Sequence, residues 1–492
     1  MAAVAGCFSY FQQASTRIRT NSTLRVYIGE APTSLDPLDF NLVKHMPIQS
    51  MLNAKLFSVY KDAGISGQVV NNWRSENGNR VWRFNIREDL RFSDGTALTP
   101  SIVALSLKRL FFVLKKRQSN NAVLSNLIDL ERLTSPSAPS FQAIAVDQKQ
   151  VVVKMKSPSP KFAELMGFGL YAIVHPNNFN SNTGDWLNLP IENYVGLGPY
   201  KVLSASSKGI LVRLKTDYPL NLFHAKAFPL VELLSEEWEN SKVDLRFSSE
   251  DLQLTDSNYQ FRGAGKMGIF YFICFSWKLP GSACHSKTRR MAIRDAFLSE
   301  FKSRSVNSTS SFFPMLISGI EVPEFSFFAK SFPNGKRESF RFVDLRAISK
   351  SKNVIDAQNA LEAAIRVTGN VPVSLVGMSY EDETKNRNPN LKEFTVDVGF
   401  GATSLSVIDP EGDVRFMFTS EGINLPDVSG KIRREISRKD FSIQKVNQEL
   451  FDQAVVWPVA HVARGIWSSP RVDLSRYGTL FPLGELQWIG ER

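Results

Sequence analysis

The stretch Trp82-Arg83-Phe84-Asn85-Ile86-Arg87-Glu88-Asp89-Leu90-Arg91-Phe92-Ser93-Asp94-Gly95-Thr96-Ala97-Leu98-Thr99-Pro100 decides the fold class. Trp82, Phe84 and Ile86 alternate with Arg83, Asn85 and Arg87, the period of a strand with one buried face. Asp94-Gly95 is a turn pair, because glycine accepts positive φ and an aspartate side chain can bond nearby backbone. Thr99-Pro100 then offers a helix N-cap and a first helical residue. Ile102, Val103, Leu107, Leu110 and Phe111 follow as an apolar face at helical spacing. Strand, turn and helix in this order are compatible with any α/β protein.

Four further segments lie outward from this one. Leu24-Arg25-Val26-Tyr27-Ile28-Gly29-Glu30-Ala31-Pro32-Thr33-Ser34-Leu35-Asp36-Pro37 is a strand running into a proline-bounded loop. Tyr194-Val195-Gly196-Leu197-Gly198-Pro199-Tyr200-Lys201-Val202 is a glycine-rich turn entering a strand. Tyr271-Phe272-Ile273-Cys274-Phe275-Ser276 is a strand, with Arg290-Met291-Ala292-Ile293 opening a helix after it. Asp409-Pro410 and Val456-Trp457-Pro458-Val459-Ala460-His461 complete the set.

In order and spacing the five segments resemble the family 5 extracellular solute-binding proteins, the peptide-, dipeptide- and nickel-binding receptors of ABC importers. The resemblance runs from about Leu24 to the C-terminus. It is that of a divergent member. Leu197 stands where threonine is usual, Ile102 where aspartate is usual, and Leu298-Ser299 replaces an Asp-Arg pair. The region from 263 to 460 matches least well.

The resemblance implies a two-lobed, hinged, periplasmic-binding-protein-like α/β fold, with mixed sheets flanked by helices and a subdomain inserted in the first lobe. It places lobe I in residues 24–57, 172–262 and 461–492, the insert in 58–171, lobe II in 263–460, and a leader or tether in 1–23. It implies a receptor that holds a peptide-like ligand in an interlobe cleft and presents it to the permease subunits of an ABC importer. Ser34, Leu35, Trp277, Thr403 and Ser406 are then the expected ligand-binding residues. Peptide-binding members carry an aspartate three positions before an Asp-Pro, where it pairs with the ligand's α-amino group. Aligned on Asp409-Pro410, that position is Ser406, and Thr403 replaces an aromatic three residues earlier. A buried ammonium needs a counter-charge, so a free peptide amine is a poorer ligand here than in the family at large.

Composition fits this reading. The 492 residues, 43% of them hydrophobic and 22% charged, suit a folded protein of about three domain-sized units. The longest apolar run, Gly268 to Trp277, is half of the ~20 residues that a membrane helix needs. The net charge of +11 comes from Lys and Arg interleaved with Asp and Glu. The two tight basic runs, Lys115-Lys116-Arg117 and Lys431-Ile432-Arg433-Arg434, read as solvated helix ends rather than a phosphate track. Nucleic acid is not an expected partner; a monomer is expected.

Val4-Ala5-Gly6-Cys7 resembles a lipobox, and 8–23 a polar tether, so Cys7 is the expected lipidation site of a protein on the outer face of a bacterial membrane or in the periplasm. Only six residues precede Cys7, with no apolar core, so a lipoprotein requires a start further upstream; the alternative is a leader without a role. Cys274 and Cys284 either bridge or are a buried strand residue and a loop thiol. The five histidines, His45, His175, His224, His285 and His461, show no metal-ligand spacing. Neither a cofactor nor a resident metal is expected. Gly-x-Ser-x-Gly, His-Glu-x-x-His and glycine-rich phosphate loops are absent, so no catalytic residue is expected and the chain is read as a binder, not an enzyme. The alternative is a sensing or regulatory module of the same fold that contacts another protein without transport. The 23 residues before Leu24 are too few for a DNA-binding domain.

Overall fold

The structure is a computed structural model. It describes residues 22–28, 32, 34–39, 45–60, 64–118, 122–167, 169–206, 208–222, 226–235, 243–249, 258–275, 285–304, 337–344, 346, 351–375, 397–406, 410–418, 427–438, 440–475 and 489–492. The chain divides into two compact units. Unit 1 comprises 1–248, 256–264 and 465–492, and unit 2 comprises 249–255 and 265–464.

Unit 1 opens with β1 (Thr23–Tyr27) and the short helix α1 (Met46–Leu52). An antiparallel four-stranded sheet follows, built from β2 (Val70–Glu76), β3 (Val81–Ile86), β4 (Ile144–Asp147) and β5 (Gln150–Lys154) in the order β2-β3-β5-β4. The strand period is realised in β3. Trp82, Phe84 and Ile86 are buried, whereas Arg83, Asn85 and Arg87 are only partly so. Phe84 pairs with Trp73 on one side and Val151 on the other.

Between β3 and β4 lies α2 (Pro100–Lys116), packed on β4 and β5. Its N-cap is Thr99, whose hydroxyl accepts from the Ile102 N–H, with Pro100 at the first helical position. Val103, Leu107, Leu110 and Phe111 are buried and Ile102 is half-buried. The basic run at its end does more than meet solvent. Lys115 Nζ donates to the carbonyls of Leu130 and Leu133, and Arg117 donates to Leu38 O and pairs with Asp39 at 2.7 Å.

The larger sheet of unit 1 runs β6-β7-β8-β1-β9, from β6 (Tyr200–Ser206), β7 (Gly209–Leu214), β8 (Leu230–Leu234) and β9 (Leu245–Ser249). The β6-β7-β8 portion is antiparallel, and β1 lies parallel to both β8 and β9. The unit boundaries fall at the end of β9, between 255 and 256, and within two long strands, β10 (Gln260–Phe275) and, near the C-terminus, β14 (Val456–Ser468).

In unit 2 the helices α3 (Lys287–Arg304) and α4 (Lys352–Val367) pack together, beside strands β11 (Ser339–Val343), β12 (Val371–Leu375) and β13 (Val398–Ser406). β10 pairs antiparallel with β13, while β11 is parallel to β12 and β13. Gly369, at φ +80°, stops α4 before β12, as its place after an apolar helical pattern predicts. Asp344, at the end of β11, is held down to a pKa of about 2, chiefly by the Arg346 guanidinium that bonds both its oxygens. A second core in unit 2 gathers α5 (Pro410–Phe418), α6 (Lys431–Ile436) and α7 (Ile443–Gln453). Parallel and antiparallel pairing occur in both units, and helices flank the strands, so the mixed α/β class expected from the sequence is the one observed. No helix among the described residues is long and apolar enough to cross a membrane.

Candidate functional site

Three of the segments singled out in the sequence meet in unit 1. Gly95 takes φ +90°, and Asp94 Oδ1 accepts from the Thr96 N–H at 2.9 Å, which closes the signature turn. That turn is bonded to the glycine-rich segment: Ser93 N donates to Gly196 O at 2.9 Å, and Gly196 N donates to Ser93 Oγ at 3.2 Å. The glycines are required by close approach. A Cβ on Gly196 would lie 2.1 Å from Leu52 O, and one on Gly198 would lie 2.3 Å from Met51 O. Gly198 N donates to Leu52 O at 2.8 Å, so the segment seats on the last turn of α1.

Around the turn sit two buried bases. His175 packs edge-on against Phe92, with ring centroids 4.7 Å apart. Its Nδ1 accepts from Asn177 N and its Nε2 lies 3.8 Å from Asp94. Burial holds the imidazole below its ordinary pKa against the pull of Asp94. Lys215 donates from Nζ to Arg91 O at 2.7 Å and is pushed down to about 8 by burial.

The loop that carries the expected ligand residues Ser34 and Leu35 is fixed from behind. Asp36 N donates to Ser34 Oγ at 3.0 Å, and Asp36 Oδ1 accepts from Leu38 N at 3.1 Å. The Asp36 carboxylate is gripped by Arg109 of α2 through two bonds of 2.7 and 2.5 Å, with side-chain exposures of only 2% and 3%. Arg109 also donates from Nε to Gly184 O and lies over the rings of Phe179 and Trp186. A buried planar fork that faces two rings and pairs bidentately with a carboxylate is a rigid anchor.

Ser34 and Leu35 line a recess of about 40 Å³ together with Asn178, Trp186, Tyr194 and the 187–191 segment. None of the described residues lining it carries a charged side chain. Tyr194 donates to Asn53 Oδ1 at 2.5 Å, and burial raises its pKa far above the ordinary range. Asn178 donates from Nδ2 to Val195 O at 2.8 Å, while its buried Oδ1 has no hydrogen-bond partner among the described residues.

The structure therefore brings Ser34 and Leu35 together at one recess. Thr403 and Ser406 lie on β13, their backbones paired with Phe270 and Met267 of β10. Trp277, Cys7 and Cys284 fall outside the described residues; Cys274 is on β10. No group of three or more His, Cys, Asp or Glu fit to hold a metal occurs among the described residues. Sequence reasoning missed Arg109, Asn178, Trp186 and Tyr194. Arg109 did leave a signal: α2 carries Lys108, Arg109, Lys115 and Lys116 but no Asp or Glu, so its buried arginine had to find its counter-charge elsewhere.

Residues 64–219 match the family described as bacterial extracellular solute-binding proteins, family 5, middle segment. The match takes in the signature strand, turn and helix as well as the glycine-rich segment, two of the five segments that carry the resemblance. A probable D,D-dipeptide-binding periplasmic protein of Escherichia coli (strain K12) is 29% identical over 239 residues, 47% of this chain and 42% of that protein. The chain thus matches less than half the length of the curated relatives it resembles (42% and 37%).

Solved structures cover more. A periplasmic oligopeptide-binding protein of Borrelia burgdorferi superposes with a TM-score of 0.72 at 14% identity, over 96% of this chain and 100% of that one. The dipeptide-binding protein of Pseudoalteromonas sp. SM9913, in complex with Met-Leu, gives 0.68 at 14% identity over 96% and 100%. The fold is that of the two-lobed periplasmic binding proteins.

Proposed function

We propose that the protein is the solute-binding receptor of an ABC importer, taking a peptide-like ligand and delivering it to a membrane permease. The observation that carries this reading is the fold match over 96% of the chain to proteins described as binding oligopeptides and dipeptides, joined to the family 5 match at 64–219. The rigid seat of Ser34 and Leu35 supports it, since a receptor gains affinity when its contact loop is ordered before the ligand arrives. Thr403, Ser406 and Trp277 complete the proposed contacts on the strength of the resemblance. In this reading the chain performs no chemistry; it acts as a monomer by binding and closing on its ligand, and it works outside the cytoplasmic membrane, with Cys7 as lipid anchor when the gene starts upstream.

The division into an insert at 58–171, a first lobe and a second lobe at 263–460 belongs to the same proposal. Native mass spectrometry of the purified protein, followed by calorimetry with di- and tripeptide mixtures, tests the function. A co-purified or titrated peptide bound one-to-one is expected. A protein that binds no peptide in either experiment, yet captures a partner protein, is the outcome that favours the sensing module.

A further inference from the structure

We propose that Asn77, at the tip of the β2–β3 hairpin, is a site of self-modification: it closes to a succinimide with Gly78 and opens to isoaspartate and aspartate. This chemistry is independent of whether the chain is a receptor. Asn77-Gly78 is the one Asn-Gly pair among the described residues. Both residues are exposed, and with Asn79 they take φ of +51°, +64° and +65°.

The loop is tied down on its second half only. Arg80 N donates to Glu76 O at 3.1 Å, Met155 N to Arg80 O at 2.7 Å, and Ser159 N to Asn79 O at 3.0 Å. Asn79 Oδ1 accepts from Ser75 Oγ at 2.7 Å. By contrast, no hydrogen bond among the described residues engages the Asn77 side chain or the Gly78 N–H. A Cβ built on Gly78 meets nothing within 4 Å, so the 77–78 peptide can turn without striking a neighbour.

Ring closure requires the Gly78 nitrogen to reach Cγ of Asn77. Once hydroxide has taken its proton, that nitrogen attacks, and the N–Cγ bond forms. The Cγ–Nδ2 bond breaks, and the side-chain nitrogen takes up a proton and leaves as ammonia. Water then opens the ring at Cγ to give aspartate, or at the main-chain carbonyl of Asn77 to give isoaspartate. A side chain at 78 would crowd the attack, and a hydrogen bond from its N–H would hold the nitrogen away; Gly78 has neither.

The signature turn provides the contrast. Asp94-Gly95 is also exposed and can form the same ring with loss of water. There, however, Gly95 N donates to Phe92 O at 3.0 Å and Asp94 Oδ1 accepts from Thr96 N at 2.9 Å. Nitrogen and carboxyl are each held by another partner. At residue 77, isoaspartate would add one carbon to the main chain of the loop, which should loosen the bonds made by the Arg80 and Ser159 amides.

The test incubates the full chain at mildly alkaline pH, folded and separately unfolded in guanidinium chloride, and locates the products by peptide mapping. Isoaspartate is counted by methyl transfer from labelled S-adenosylmethionine through an isoaspartyl methyltransferase. Asn77 should convert at comparable rates in both samples, and in the folded protein several times faster than any other described asparagine. Asp94 should isomerise in the unfolded chain alone. Gly78→Ala should slow the conversion severalfold, and hydrogen exchange at Arg80 and Ser159 should quicken in the converted protein. Conversion of Asn77 confined to the unfolded chain would overturn the proposal, and so would a rate untouched by Gly78→Ala. Asp94 isomerising as readily folded as unfolded would show that these hydrogen bonds do not decide the site, which overturns it equally. The mapping of the unaltered protein does not depend on the variant's folding.

Discussion

Arg109 and Asp36, 73 residues apart in sequence, meet through two parallel hydrogen bonds of 2.7 and 2.5 Å inside unit 1. The pair joins the loop after β1 to the helix after the signature turn, and through Gly184 to the segment that lines the recess. Its value lies in placement, since a buried ion pair contributes little net stability over an apolar substitute but costs much when half of it is removed.

Arg109→Met should therefore destabilise unit 1 by about 3–5 kcal/mol, because Asp36 is left charged and buried. Adding Asp36→Asn should recover part of that loss. Urea unfolding followed by tryptophan fluorescence measures both. A single substitution costing less than the double one would mean that the pair is not desolvated.

The glycine-rich segment yields a contrast between two kinds of glycine. Gly198→Ala places a Cβ 2.3 Å from Met51 O, with further backbone atoms of Leu52 and Asn53 close by, so α1 or the turn has to move. Gly95→Ala meets nothing within 4 Å and suffers only from its φ of +90°, a cost of about 1–2 kcal/mol. Gly198→Ala should lower the unfolding midpoint more than Gly95→Ala does. The reverse ranking would show that the approach to α1 relaxes freely.

Lys215 gives a pH dependence of known sign. Its folded pKa, about 8, lies below the ordinary lysine value of 10.5, so the unfolded chain holds the proton more tightly. The group therefore destabilises the fold below pH 8, and stability returns as pH rises from about 8 to about 10.5. Over that window the gain is on the order of 2–3 kcal/mol. Lys215→Met should flatten this slope, although it leaves Arg91 O without its donor. Unfolding free energies of both proteins at pH 7.5 and 10, compared as a difference, isolate the effect from other titrating groups. Equal slopes would place the ammonium in water.

Local patterns were legible in the sequence and long-range ones were not. The alternation of Trp82, Phe84 and Ile86, the Asp94-Gly95 turn and the Thr99 cap each depend on neighbours within a few residues, and each is found. The glycines at 196 and 198 stood out as a motif, but their reason, the carbonyls of α1, lies about 145 residues earlier in the chain. Arg109 declared only that it lacked a local partner; nothing in spacing pointed to Asp36. Asn178 ends a single 3-10 turn and Trp186 forms an isolated bridge, elements too short for a period to mark which side chains face inward. Ser34 and Leu35 were reached through the family resemblance, not through any pattern of their own.

Ser406 provides the last prediction. It stands on β13 at the position where peptide-binding relatives of the family are expected to carry an aspartate for the ligand's α-amino group, and a hydroxyl offers no charge to a desolvated ammonium. A charged pair exceeds a hydroxyl in strength only when both members leave water together, which a closed receptor would enforce. Ser406→Asp should then raise affinity for free-amine peptides by about tenfold or more, the scale of a charge-assisted hydrogen bond, and leave N-acetylated peptides unchanged or weaker. Calorimetry of both proteins with matched free and acetylated peptides decides between readings of this strand. If the unaltered protein already prefers free amines strongly and Ser406→Asp weakens them, another acidic side chain holds the amine, with Asp397 and Glu411 the first to replace by their amides.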